Sequence, residues 1–175
     1  MPSPFAHALA GLTVHALASR TRGELRDPLR AAFVVGAALT PDLDLLFRFA
    51  DGRNHHNNET HSLGVALLAG MAAAIAFPLL RFARPYALAL AASLGWASHT
   101  LLDYLNRDTS PPIGLMALWP WSSAHYKFPW PLFMDIGRTL DLTTVRHNLV
   151  AAAWEACVLG PLLLVALRYR WRRLE

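Results

Sequence analysis

Ser98-His99-Thr100-Leu101-Leu102-Asp103 lies near the end of a long apolar stretch, with His99 and Asp103 four residues apart. In a helix that spacing stacks both side chains on one face, one turn apart. An imidazole and a carboxylate so placed can grip one metal ion. The same pair can equally form an ordinary buried hydrogen bond.

Other polar residues offer the same choice. Pro41-Asp42-Leu43-Asp44 sets two carboxylates at the exit of an apolar segment. They are hard ligands, or simply acids favoured at the positive end of a starting helix. His56-Asn-Asn-Glu-Thr-His61-Ser62 brings two histidines to the entry of the next apolar stretch, with Glu59 close enough to act as base or ligand. The bland alternative is a polar surface loop. His7, inside the first apolar segment, is a ligand candidate or a satisfied core histidine. His15 reads as structural. His125 and Lys127 could bind an anionic substrate or stand exposed. His147 opens the last apolar helix without a readable partner. Glu155 lies deep in that helix, where a carboxylate is a functional candidate or is protonated or paired.

The donor set is rich in His and Asp. Cys157 is the only cysteine, so there is no CxxC site and no intramolecular disulfide, and it reads as a small buried hydrophobe. Such a set favours Zn²⁺, with Mn²⁺ as the alternative, as one or two ions. There is no GxSxG elbow, no Gly-rich phosphate loop and no evident Ser or Cys triad. The chemistry available is metal-activated water.

These residues need elements to position them. Five apolar segments are expected as helices: Pro4–Ser19, Leu29–Leu39, Ser62–Leu80, Pro85–Leu105 and His147–Leu167. Thr40-Pro41 ends the second, because a proline disfavours helix at the residue before it, and Thr40 can cap a new turn. Thr60 is expected to cap the third helix. The first two segments fall short of the roughly 20 residues that cross a bilayer, so they are expected to be half-inserted, tilted or packed on the other three. Arg107–Arg146, rich in Pro, Trp, Phe and Tyr and without a period, reads as a long ordered loop whose aromatics suit an interfacial belt.

The 175 residues suit one domain; 54% are hydrophobic and 16% charged, against about 25% charged in an average soluble protein. Arginine carries nearly all of the positive charge. It clusters beside apolar segments, which fits membrane flanks better than nucleic-acid recognition. No basic n-region precedes Arg20, so a signal peptide is not expected. If the Arg20–Arg30 turn, the Arg81–Arg84 turn and the C-terminal arginines share the cytoplasmic side, ten of the sixteen Arg and Lys residues lie inside. Alternating helices then carry His7, Asp42, Asp44, His56, His61, His99, Asp103 and His147 to the opposite end. A soluble helical bundle is the competing reading.

At these motifs the chain resembles the YdjM-type inner-membrane metal-dependent hydrolases. The matching pieces are Phe5-Ala-His7 with Gly11, Pro41-Asp-Leu-Asp44, Thr60-His61-Ser62, Ser98-His99-Thr-Leu-Leu-Asp103 and Leu118-Trp-Pro-Trp-Ser122, covering roughly His7 to Ser122. The family's loop reads His-Arg-Gly-x-Thr-His-Ser; here Asn57 and Asn58 replace its Arg and Gly. The family is regarded as distantly similar to zinc-dependent phospholipase C and to nucleases of the P1 type. The resemblance implies His7, Asp42, His56, His61, His99 and Asp103 as metal ligands, with Asp44 as base or supporting partner.

The expectation is therefore an all-α, membrane-embedded bundle of about five apolar helices. It forms a single domain, 1–175, whose aromatic-rich loop 108–146 covers a metal site on the non-cytoplasmic face of a bacterial inner membrane. Asp44 and Glu59 are the candidate catalytic groups. The expected reaction is hydrolysis of a phosphoester, lipid-linked or otherwise, with membrane lipids as surroundings and no nucleic-acid partner. The alternative is a non-enzymatic membrane scaffold or transport accessory with a structural metal or polar cluster. A transporter with Glu155 in its path is a third option.

Overall fold

Most helices of the chain begin where a side chain caps them. The computed structural model describes residues 1–109 and 111–174. Helix α1 (Pro4–Ala18) is capped by Ser3, α2 (Arg22–Arg26) by Thr21, and α3 (Pro28–Leu39) by Asp27. A 3₁₀ stretch (Thr40–Phe47) leads to the short α4 (Arg48–Asp51), which stops at Gly52 with φ of 73°. After a 3₁₀ turn at Glu59–His61 come α5 (Leu63–Leu79) and α6 (Pro85–Tyr104). The final helix, α7 (Leu142–Arg173), has 32 residues. Among the described residues there is no β-strand, only isolated bridges at Asn106–Phe133 and Leu115–Tyr126.

Helix α6 is central: α5 packs on one side of it, and α1 and α3 pack on the other. Helix α1 in turn carries α3 and α7. The crossings are tight because glycines stand at them. A Cβ on Gly11 would lie 2.9 Å from Val35 Cα, one on Gly70 2.6 Å from Ser93 Cβ, and one on Gly95 2.7 Å from the Val34 carbonyl. Small residues at close crossings are how helices pack where lipid supplies no hydrophobic drive. Outward faces are apolar: Leu67, Met71, Ile75, Leu90, Leu162 and Val165 are all exposed. Among the described residues, α7 is the one helix long and apolar enough to cross a membrane, while α1 and α5 are shorter apolar helices.

Several local expectations are corrected. Helix α7 starts at Leu142 rather than His147, because Asp141 accepts from Thr144 N at 2.8 Å. The loop therefore ends at Asp141, short of the expected 146. Asp141 is pushed down to about 2 by its hydrogen bonds from Thr139 and Thr144. Ser62, not Thr60, caps α5 through Val65 N. Thr40 does not cap the following turn but ends α3, its N–H and hydroxyl both donating to the Gly36 carbonyl, the hydroxyl at 2.7 Å. The Arg20–Arg30 segment contains the short helix α2. Cys157 is exposed, on the outer face of α7, not buried.

Candidate metal centre

Most site residues sit where a helix begins or ends, at one end of the bundle, and His56 lies in the turn between α4 and the Glu59–His61 turn. His7 lies one turn into α1. Its position depends on α7: Glu155, fully buried, accepts from Ser3 N at 2.8 Å and from the Ser3 hydroxyl. The carboxylate that looked like a functional candidate is thus the anchor of the α1 start.

His99 and Asp103 occupy the last turns of α6. The α-helix of α3 ends at Leu39, so the carbonyls of its last turn lack intrahelical partners. One of them, that of Ala38, receives a hydrogen bond from His99 Nδ1 at 2.8 Å. A carbonyl only accepts, so Nδ1 carries the proton and the Nε2 lone pair points into the cluster. Asp42 and Asp44 follow on the 3₁₀ stretch, and His61 ends the 3₁₀ turn before α5.

Asp44 fixes two imidazoles at once. His56 Nδ1 donates to its Oδ1 at 3.0 Å, and His61 Nδ1 lies 3.1 Å from its Oδ2. The Thr60 hydroxyl donates to that same Oδ2 at 2.8 Å. Both Nδ1 atoms are therefore occupied, and both Nε2 atoms are left over. This carboxylate–histidine arrangement orients imidazoles for a metal.

Four donor atoms then converge. His61 Nε2 is 3.5 Å from Asp42 Oδ1 and 3.2 Å from Asp103 Oδ2. His99 Nε2 is 3.6 Å and 3.1 Å from the same two oxygens. Ligands about 2.0–2.1 Å from a tetrahedral Zn²⁺ are about 3.3 Å apart, which these separations match. Asp42 Oδ1, Asp103 Oδ2 and the Nε2 atoms of His61 and His99 are all buried without a hydrogen-bond partner. A buried polar group left unpaired is costly; one cation would satisfy all four. The residues fit a divalent ion.

The six expected ligands are not equivalent. Asp42, His61, His99 and Asp103 form one group, and Asp44, His56 and His61 a second, with His61 common to both. His7 stands beside the first group: its Nε2 is 3.5 Å from Asp103 Oδ1, and its ring stacks on His99 with centroids 3.8 Å apart. Asp44 lies behind the imidazoles, bound to His56, His61 and Thr60. Glu59 is exposed and belongs to neither group. Lys127 is exposed and His125 half-buried, both in the loop. His147 does have a partner, the Asp135 carbonyl at 2.8 Å, and so pins the loop to α7. His15 touches the Leu25 carbonyl at 3.3 Å, far along α1 from the cluster.

The loop is fastened to this end of the bundle. Leu63 N donates to the Ala117 carbonyl and Met116 N to the Asn57 carbonyl, both at 3.0 Å. A Cβ on Gly64 would lie 2.1 Å from the Trp119 carbonyl oxygen, so the loop rests directly on the α5 start.

The electrostatics follow from the same contacts. Burial lowers the His61 imidazole, but Asp103, Asp42 and Asp44 outweigh it and hold it well above its ordinary value. Burial raises Asp44, yet His56 and His61 hold it below the usual carboxylate range. A raised His61 stabilises the metal-free fold below the unfolded imidazole value, and that contribution fades as pH rises through the folded value. A metal must displace the same proton, so its affinity grows with pH. The melting temperature lost on adding chelator should therefore be larger near pH 9 than near pH 6; differential scanning fluorimetry in detergent reads this directly. Asp44→Asn, which replaces an acceptor by an amide facing two N–H groups, should weaken metal binding about 10–100-fold, measured by competition with a chromophoric chelator.

Thr60, Ala38 and Ser3 were invisible as partners in the sequence. Glu155 alone signalled that something had to meet it. The chain belongs to the YdjM inner membrane protein family, whose model matches residues 1–174. No curated protein and no solved structure matches it.

Proposed function

We propose that this member of the YdjM inner membrane protein family is a multi-pass, metal-dependent hydrolase that cleaves a phosphoester. The observation that carries the reading is the convergence of four partnerless buried donors from the 3₁₀ stretch, the turn before α5, and α6. A mixed N/O set without thiolate suits Zn²⁺, with Mn²⁺ second. When bound, such an ion lowers the pKa of water and stabilises charge on a phosphoryl oxygen. The chain's part is to hold His61 and His99 in fixed tautomers, with Nε2 inward. Asp42 is the most exposed of the four ligands, at 14% of its side chain, and marks the side from which a substrate reaches them.

Membrane embedding by α1, α3, α5, α6 and α7 is supported by the exposed apolar faces of α5, α6 and α7. Helices α1, α3 and α5, at about 1.5 Å rise per residue, are shorter than the roughly 30 Å hydrocarbon core, so they would sit beside α6 and α7. The Arg20–Arg30, Arg81–Arg84 and C-terminal arginine segments meet at the end away from the His/Asp cluster, and the positive-inside bias supports reading the cluster as non-cytoplasmic.

One observation favours a second reading. His7, His61 and His99 are wholly buried, and structural metal sites are closed whereas catalytic ones keep an open position. A scaffold with a structural ion would look like this. Purified protein should contain tightly bound Zn or Mn and hydrolyse a generic phosphodiester, with chelator abolishing turnover and metal restoring it. Metal that is bound and stabilising, with no turnover on any phosphoester, would select the scaffold. Protein that binds no metal would remove both readings.

A further inference from the structure

The opposite end of the molecule carries a second feature, independent of the metal reading. Three segments far apart in sequence meet there. Arg170 donates to the Ser19 carbonyl, Arg30 to the Ala83 carbonyl at 2.7 Å, and the guanidinium carbons of Arg22 and Arg26 lie 5.1 and 4.6 Å from the centroid of the Trp171 ring. Acidic partners are few. Glu24 is taken by Arg30 and Arg84 at 3.9 and 3.6 Å, and Asp27 caps α3. Among the described residues, Arg26, Arg168 and Arg172 form no ion pair.

Those three arginines rim a groove of about 680 Å³ between α2 and α7, floored by Leu25, Leu164 and Leu167. Arg168 and Arg172 are one turn apart on α7, where like charges repel. A smaller hollow on the other side of the same two arginines is lined by Val165 and Tyr169. Along α7, Leu164 and Leu167 give way to alternating arginines and aromatics from Arg168 to Arg172, as at the rim of a spanning helix where hydrocarbon gives way to headgroups. An anion shared between Arg168 and Arg172 removes their repulsion, and an apolar chain attached to it covers the leucine floor.

We propose that this groove binds an anionic phospholipid, its phosphate between Arg26, Arg168 and Arg172 and its chains along Leu164 and Leu167. Basic pockets beside spanning helices take such headgroups. The three arginines are exposed and removed from the His/Asp cluster, so the fold should survive their replacement.

The test uses full-length wild type and the R168Q/R172Q double variant in detergent, with phosphatidylglycerol and phosphatidylethanolamine of matched chains added and retention read by native mass spectrometry. Wild type should keep the anionic lipid at least about tenfold better than the zwitterionic one, and the double variant should lose that preference. Equal retention of both lipids by wild type, or an unchanged preference in the variant, overturns the proposal. Inorganic phosphate that displaces phosphatidylglycerol at matched concentration makes the groove a free-anion site and overturns it too, as does a short oligonucleotide that outcompetes the lipid. Unchanged metal content and melting temperature in the variant confirm that folding is not what the comparison measures.

Discussion

Asp103→Asn should empty the metal centre: bound metal falls from about one equivalent to below about a tenth, and phosphodiester turnover falls about 10³-fold or more, equivalent to about 4 kcal/mol of transition-state stabilisation. Asp103 is the hub. Its Oδ2 faces His61 and His99, and its Oδ1 faces His7. The amide keeps the shape but removes the charge, and its NH₂ points a donor at nitrogens that must donate lone pairs to the ion. The metal-free protein should suffer too. His61, wholly buried, loses one of the three carboxylates that hold its proton, and breaking a buried pair by removing one partner costs about 3–5 kcal/mol. Metal analysis by mass spectrometry, paired with circular dichroism, separates the outcomes. A variant that is helical, loaded with metal and as active as wild type would end the role given to Asp103 as the hub of the centre.

Gly95→Ala should weaken metal binding without touching a ligand. The added Cβ would sit 2.7 Å from the Val34 carbonyl and 3.2 Å from Val34 Cγ1. Backbone cannot swing aside as a flexible side chain can, so α6 must move away from α3. One turn further along each helix, the same crossing holds the 2.8 Å bond from His99 Nδ1 to the Ala38 carbonyl. Losing it frees the imidazole to rotate and to change tautomer. The expected result is a stability loss of about 1–3 kcal/mol from overpacking, together with at least a 10-fold drop in metal affinity. Gly36→Ala is the control, since a Cβ there meets nothing within 4 Å. Equal metal affinity in wild type and Gly95→Ala would show that the α3–α6 crossing does not govern the centre.

Hydropathy located the long apolar helices because their composition is uniform over whole turns. Their ends were less legible where capping was decided by a single side chain. Leu142-Thr143-Thr144-Val145 lay within a stretch read as loop for its Pro and aromatic content and lack of a period, yet Asp141 starts α7 there. Thr60 looked like a cap but turns instead to Asp44, sixteen residues back. The spacing of His99 and Asp103 was readable because it lies within one helix. The pairing of His61 with Asp42, and of Asp44 with both His56 and His61, depends on how separate segments meet, which periodicity does not encode. Glu155 shows the same limit. Its burial in an apolar helix required a partner, but Ser3 stands 152 residues away. Cys157 was misjudged because an apolar run looks the same whether its neighbours are side chains or lipid.

The near-complete enclosure of the donor cluster would set how fast an ion came and went there. With His61 and His99 wholly covered and only the edge of Asp42 reachable, an ion held there would exchange only through a transient local opening of the surrounding elements. Residence time then follows the frequency of that breathing rather than the strength of the coordinate bonds. Any substitution that loosened this packing would shorten occupancy with every ligand intact.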